Sequence, residues 1–299
     1  KVLLDRGDHV RVLDNLSVGT EAALARTARV QQGDGWPADS SSVGLIVGDI
    51  RDPEACGAAL DGAQAVVHLA AQSGVIPSIE APMFDCETNV LGTLNMLQAC
   101  VQHGTSQFVF ASSSAPLGET TPPVHEGLPA RPMSPYGASK LAGEGYCSAY
   151  FHSFGIRTAA LRFSNVYGPG SGHKGSVVAQ FFRWAVEGKP LVIYGGGDQT
   201  RDFIYIDDLC SAIIGALDSD TGGEVFQIAT FQESTVNTVA AHVKRLVEHD
   251  CGYQVTIHHV DARKGEVIRS YSDISKARAA IGYEPCVSLE EGLERTWDW

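Results

Sequence analysis

The feature that most constrains this chain is a regular alternation, through its first half, of apolar runs of strand length with stretches of helical spacing. VRVLDN (11–15, entered from Val10), VGLIVGDI (43–50), AQAVVHLAA (63–71), SQFVFASSS (106–114) and RTAALRFSNVYG (157–168) read as strands. Between them, segments 53–61, 83–103 and 136–154 carry helical spacing, each introduced or closed by Pro, Gly or Asp. Strand and helix in repetition make a parallel sheet with helices on its faces. Runs such as VVHLA and FVFAS are apolar on both faces, as strands buried between two helix layers must be.

Beyond Gly168 the texture changes. GPGSGHKG reads as a loop, SVVAQFFRWAVEG as a helix, PLVIYGGG as a short strand and turn, and DFIYIDDLCSAIIGAL as a further strand and helix. The 299 residues are about two domains' worth of chain. The expected fold is therefore α/β: a Rossmann-type doubly wound parallel sheet over residues 1–168, and a smaller mixed α/β lobe over 169–299 interleaved with it. Such a sheet opens with a strand and a glycine-rich turn into a helix. Residue 1 is a Lys inside what reads as the helix after that turn, so the first strand and the glycine-rich loop are expected to be missing. The sheet would then lack a central strand, and a pyrophosphate its backbone N–H cradle.

With 44% hydrophobic and 19% charged residues, the chain has the composition of an ordinary soluble globular protein. Twenty-two basic against 35 acidic residues leave a net charge of −13, which argues against nucleic acid and anionic membranes as partners. No apolar run approaches the roughly 20 residues of a membrane span, and KVLLDRGDHV is not a signal peptide. A cytoplasmic location is expected. The seven cysteines are odd in number and scattered without a CxxC pair, which suits reduced packing residues. His258–His259 has no partners at metal-ligand spacing, and no metal site is expected.

The chemistry-bearing residues gather near predicted strand ends. Tyr136 and Lys140, in SPYGASK, stand four apart at the start of a helix and project from one face. An ammonium beside a phenol favours the phenolate, which makes Tyr136 a candidate general base. A strand ending in Ser112, Ser113 and Ser114 lies just upstream, at the sheet edge where doubly wound folds place their sites, and a serine there can hold a substrate hydroxyl while the phenolate takes its proton. Asp14 closes a strand in VLDNLSVG. That is the position of an acid accepting from both hydroxyls of an adenine ribose, and it favours NAD over NADP by repelling a 2′-phosphate. Asp49 and Ile50, then Ala70 and Ala71, supply a polar contact and small residues along the same edge.

HVRVLDNLSVG, GDIRD, VVHLAAQSGV, NVLGTLNMLQAC, FASSS, SPYGASK, RFSNVYGPG and GGDQTRDFIYIDD, in this order and spacing, resemble the extended short-chain dehydrogenases/reductases, specifically the NAD-dependent nucleotide-sugar epimerases and dehydratases. The resemblance covers nearly the whole chain. It implies that a sugar carbon gives hydride to NAD while Tyr136 takes the hydroxyl proton, that the keto-sugar turns over, and that hydride returns to the opposite face. It implies that Ser113, with Ser112 adjacent, orients the hydroxyl and that Lys140 grips the nicotinamide ribose. Asn15, Ser17, Gly19, Leu69, Asn89 and Phe163 would join Asp14, Asp49, Ile50, Ala70 and Ala71 around the cofactor. On the substrate side it implies that Asn165 meets the phosphates, Arg201 and Arg263 neutralise the diphosphate with their guanidinium forks, Tyr194 stacks near uracil and Glu266 binds ribose. A homodimer is also implied, through the helix bearing Tyr136 and the helix near 84–103.

The residues after the serines bear on the reaction. Dehydratases of this kind carry an Asp-Glu pair there and decarboxylases a Glu, whereas this chain has Ser114–Ala115, which favours epimerisation at carbon 4. Ser270 stands where a small side chain leaves room for an N-acetyl group. UDP-GlcNAc/GalNAc and UDP-Glc/Gal are both expected substrates. UDP-glucuronate epimerisation or decarboxylation, a 4,6-dehydratase and an inactive member remain alternatives. Pro116–Leu117 departs from the usual Val-Tyr of this segment.

Overall fold

The computed structural model describes residues 1–172, 174–262 and 267–299. It divides into two compact units, Lys1–Pro116 with Pro132–Ala160 and Asp220–Val225, and Leu117–Arg131 with Leu161–Ser219 and Phe226–Trp299.

The first unit is built on parallel strands. β1 (Val10–Asp14), β2 (Arg29–Gln32) and β3 (Ser42–Val47) form one sheet in the order β1-β3-β2. β4 (Ala65–His68), β5 (Gln107–Ser113) and β6 (Arg157–Phe163) join Glu224–Ile228 in a second sheet, in the order Glu224–Ile228, β6, β5, β4. β1 and β4 each have one hydrogen-bonded neighbour among the described residues, so the parallel architecture is present in two pieces. β6 and Glu224–Ile228 begin in the first unit and run on into the second.

Several elements differ from their sequence reading. β2 was not expected: RVQQ is short and polar, and its outer residues are exposed, so no apolar pattern marks it. The strand expected over 43–50 ends at Val47, and that over 63–71 is confined to Ala65–His68. The run 157–168 holds two strands, β6 and Asn165–Tyr167, the latter pairing in parallel with Phe203–Tyr205. The helix expected over 83–103 is broken into Pro82–Cys86, a π-helical turn Glu87–Leu91, and Gly92–His103, with a further helix Val75–Glu80 ahead of it. Hydrophobic period does not distinguish a π turn from the α-helix that flanks it.

The helix Pro135–Phe154 starts where its sequence says it should. Ser134 accepts a hydrogen bond from the Gly137 N–H at 3.1 Å, Pro135 occupies the first turn, and Gly155 closes the other end in the left-handed region. It packs against β5 and Gly92–His103 over a core of Leu97, Cys100, Phe108, Phe110, Cys147 and Ala160. Two glycines let it lie so close. A Cβ at Gly137 would sit 2.6 Å from the Ala115 carbonyl oxygen, and one at Gly143 would sit 2.3 Å from the Phe110 ring.

The second unit has small sheets under helices. Leu191–Tyr194 pairs in parallel with Ile257–Val260, the strand that carries His258 and His259, and Thr200–Arg201 pairs antiparallel with Ser234–Thr235. Helices Val177–Val186, Val236–Cys251 and Leu289–Asp298 close over a core of Phe181, Leu191, Ile193, Phe203, Val239, Val243 and Leu293. All seven cysteines are free. Among the described residues no helix is long and apolar enough to cross a membrane.

Candidate active site

The first unit brings Ser113, Tyr136 and Lys140 together at the C-terminal end of β5. Side chains alternate across a strand, so of two neighbouring serines only one can face the helix start. Ser113 is that one: its hydroxyl acts on the Tyr136 phenol, drawing it down, and accepts from the Ala115 N–H at 3.2 Å. Ser112 is buried on the other side and donates to the Glu144 carboxylate at 2.5 Å, so it braces strand against helix. Lys140 is buried, donates to the Ala111 carbonyl at 2.8 Å, and holds its ammonium 5.8 Å from the centre of the Tyr136 ring and 4.9 Å from that of Phe110.

The electrostatics differ from the simplest expectation. Burial pushes the Tyr136 phenol up, and the Ser113 hydroxyl pulls it back; Asp85 adds a smaller upward push. The expected lowering by Lys140 does not set the net direction, because burial is the largest influence on the phenol. Lys140 itself is lowered to about 8, chiefly by burial and against the pull of Asp85. It remains mostly charged at neutral pH. His68, stacked on Phe110 and tilted against Phe108, is lowered to about 3, chiefly by burial and further by the Lys140 charge, and is neutral.

The residues expected around a cofactor fall into two groups. At the C-terminal ends of β1 and β3, the Leu16 N–H donates to Asp14 Oδ1 at 2.7 Å, while no donor among the described residues reaches Oδ2. Gly19 is the neighbour of that oxygen: a Cβ there would lie 3.5 Å away. A carboxylate oxygen open beside an exposed glycine fits a ribose diol. Asn15 donates to Asp49 at 3.0 Å and accepts from the exposed Ser17 N–H at 3.0 Å. Asp49 is held well below the carboxylate range by the Arg51 fork, with Asn15 assisting. Near the end of β4, Leu69 and Ala70 are exposed and Ala71 half-buried, whereas Asn89 is buried and both accepts from the Gln72 N–H and donates to the Gln72 carbonyl. Ile50 is a core residue, 6% exposed, with Gly92 pressed against it.

In the second unit, Asn165, Tyr194 and Arg201 line one cavity of about 330 Å³, together with Ser176, Gln180, Gln199 and Phe203. Arg201 is held by hydrogen bonds to the Thr200 and Val267 carbonyls at 2.7 and 2.8 Å, and Asn165 donates to the Asp202 carbonyl at 3.1 Å. Asp202 is fully buried and ties Thr230, Phe231 and Ser272 to this strand. Ser270 and Phe163 are half-buried and lie outside that lining. Arg263 and Glu266 lie outside the described residues. Asp85, Glu144 and Asp202 were not singled out from sequence. Their signal is burial of an acid, which no spacing reveals.

A family model described as GDP-mannose 4,6 dehydratase matches residues 1–296. The chain belongs to the GDP-mannose 4,6-dehydratase family. The UDP-glucose 4-epimerase of Thermotoga maritima, solved with UDP-glucose, is 32% identical with a TM-score of 0.87, covering 99% of this chain and 92% of that one. The UDP-glucose 4-epimerase of Thermus thermophilus, solved with NAD, is 34% identical with a TM-score of 0.86 over the same shares, 99% and 92%. The UDP-glucuronate 4-epimerase of Thermodesulfobacterium geofontis is 35% identical over 79% of this chain and 72% of its own length. This GDP-mannose 4,6-dehydratase family member is thus an enzyme of the extended short-chain dehydrogenase/reductase type, in its NAD-dependent nucleotide-sugar epimerase and dehydratase branch.

Proposed function

We propose that the protein epimerises a UDP-hexose at carbon 4 through a transient 4-keto sugar. The observation that carries the reading is Ser113 acting on the Tyr136 phenol, with Lys140 buried on the same helix face and its ammonium 5.8 Å from the phenol ring centre. Ser113 holds the hydroxyl on carbon 4, and Tyr136 takes its proton. Lys140, charged below about pH 8, stabilises the phenolate that accepts this proton and grips the nicotinamide ribose. Asp14, through its open oxygen, would hold the adenine ribose, with Asn15, Ser17, Gly19, Asp49, Ala70, Ala71 and Asn89 around it. When bound, NAD supplies the two-electron acceptor that carbon 4 reduces and is then re-reduced by. Asn165, Tyr194 and Arg201 keep the UDP moiety in the second unit's cavity while the hexose turns, with Arg263 and Glu266 completing the set. In this reading the first unit is the NAD-binding domain and the second the nucleotide-sugar lobe.

The absence of an acid pair at Ser114–Ala115 supports epimerisation over loss of water. The half-buried Ser270 supports UDP-GlcNAc/GalNAc beside UDP-Glc/Gal. We read the molecule as a cytoplasmic homodimer; exposed Ile76, Ile79, Met83 and Leu91, on turns that flank the Tyr136 helix, support the dimer. Incubation with NAD and each of UDP-GlcNAc, UDP-Glc and UDP-glucuronate, followed by proton NMR, tests the reaction. The carbon-4 epimer is expected. A 4-keto-6-deoxy sugar or released CO₂ would replace this reading with elimination or decarboxylation.

A further inference from the structure

Behind the Tyr136 helix lies a buried acid that the proposed chemistry does not use. Asp85 is 1% exposed, in the turn Pro82–Cys86 that packs against Pro135–Phe154. Its carboxylate accepts one hydrogen bond, from Asn89 Nδ2 at 2.9 Å, and no cation among the described residues forms an ion pair with it. A sealed carboxylate with one neutral donor is costly unless a positive charge lies near.

The hydrogen bonds lead from Asp85 to the reacting pair. The same Asn89 amide points to Ser139 Oγ at 3.2 Å and to the Gln72 carbonyl at 2.9 Å. Ser139 gives its own proton to the Tyr136 carbonyl at 3.0 Å. Asn89 lies inside the π-helical turn Glu87–Leu91, and its carbonyl accepts from the Thr93 hydroxyl at 2.7 Å. The amide nitrogen lies within hydrogen-bond distance of three acceptors, which its two N–H groups share.

We propose that Asp85 is a positioning residue for the Tyr136–Lys140 pair: its carboxylate anchors Asn89 against the Tyr136 helix and acts through its charge on Lys140. The proposal deepens the function given above and rests on it for what the pair does. Lys140 is also faced by His68 from β4 and by Tyr136 and Cys147 of its own helix, and Glu144, one turn on, accepts from Ser112; Glu80 and Glu87, on the turns beside Asp85, are exposed. His68 is neutral and Cys147 is held protonated by burial. Asp85 is the foremost of the groups that raise Lys140, and its repulsion is the smallest of the influences on Tyr136. With burial already holding Lys140 near 8, loss of that charge brings its titration into the physiological range.

The test titrates Lys140 directly, so it needs neither substrate nor NAD, and absent sugar turnover would not bear on it. Protein labelled with ¹⁵Nζ-lysine is titrated from neutral to alkaline pH, with the Lys140 resonance assigned by its loss in Lys140→Met. Asp85→Asn keeps the shape and an acceptor for Asn89 but removes the charge. The Lys140 midpoint is expected to fall by about one pH unit, the low end of what a neighbouring carboxylate contributes. Asp85→Glu, which retains the charge, is expected to restore most of that fall. A midpoint in Asp85→Asn superimposable on the wild type would overturn the proposal, as would an equal fall in Asp85→Glu, which would trace the effect to packing. Should Asp85→Asn not fold, Asp85→Ser carries the same titration, since its smaller side chain leaves room for a water on the Asn89 amide.

Discussion

A methyl group placed at Gly143 should separate the Tyr136 helix from β5. In isolation the change favours the helix by about 1 kcal/mol, the ordinary advantage of Ala over Gly. In this fold the new Cβ would lie 2.3 Å from Phe110 Cζ. Carbon atoms rest near 3.5 Å, so helix and strand must part by about 1 Å. Phe110 is 1% exposed and cannot turn aside. Such overpacking costs about 1–3 kcal/mol, leaving a net loss of roughly 0–2 kcal/mol. Gly57, inside the Pro53–Leu60 helix, is the control: a Cβ there meets only His103 Nε2 at 3.5 Å, an ordinary contact, so Gly57→Ala should gain about 1 kcal/mol. Thermal unfolding of the two variants should therefore differ by about 1–3 kcal/mol in opposite directions from the wild type. Lys140 is one helical turn from Gly143, and a displacement of about 1 Å at reacting groups reduces turnover by up to about 100-fold. Equal or greater stability of Gly143→Ala than of Gly57→Ala, with wild-type turnover, would refute the reasoning.

Tyr136→Phe should fold normally and lose on the order of 10²–10⁴ of turnover in the NMR epimerisation assay, as expected for removal of a general base. The two serines should part company. Ser113→Ala should lower kcat with little change in unfolding, whereas Ser112→Ala, which removes a partner of buried Glu144, should cost about 1–3 kcal/mol in denaturant titrations. Lys140 also predicts a pH dependence of stability. Its folded value of about 8 lies below its unfolded value, so the unfolded chain binds more protons between about pH 8 and 10.4; the burial penalty is in full force below pH 8 and is relieved as pH rises. Lys140→Met should accordingly be more stable than the wild type at pH 7 by about 3 kcal/mol, and that advantage should shrink toward pH 10.5, measured by urea unfolding at each pH.

The local elements that carry the site were legible because their signals are local. Alternating apolar runs placed β1, β3, β4, β5 and β6, a proline introduced the Tyr136 helix, and the four-residue spacing of Tyr136 and Lys140 set both on one face. Polar edge strand β2 and the π turn at Glu87–Leu91 were not legible, since neither disturbs the hydrophobic period. Residue type and spacing left Ser112 and Ser113 undistinguished and the family resemblance alone favoured Ser113; the tertiary structure turns Ser112 to brace Glu144 and leaves Ser113 to act on the phenol. The same holds for Asp85, an ordinary acid in the sequence that becomes a buried charge only when two helices close over it. Spacing along a chain determines which face a side chain occupies, but burial and electrostatic surroundings arise from segments distant in sequence, so the charge states of Lys140, His68 and Tyr136 were decided by the tertiary fold alone.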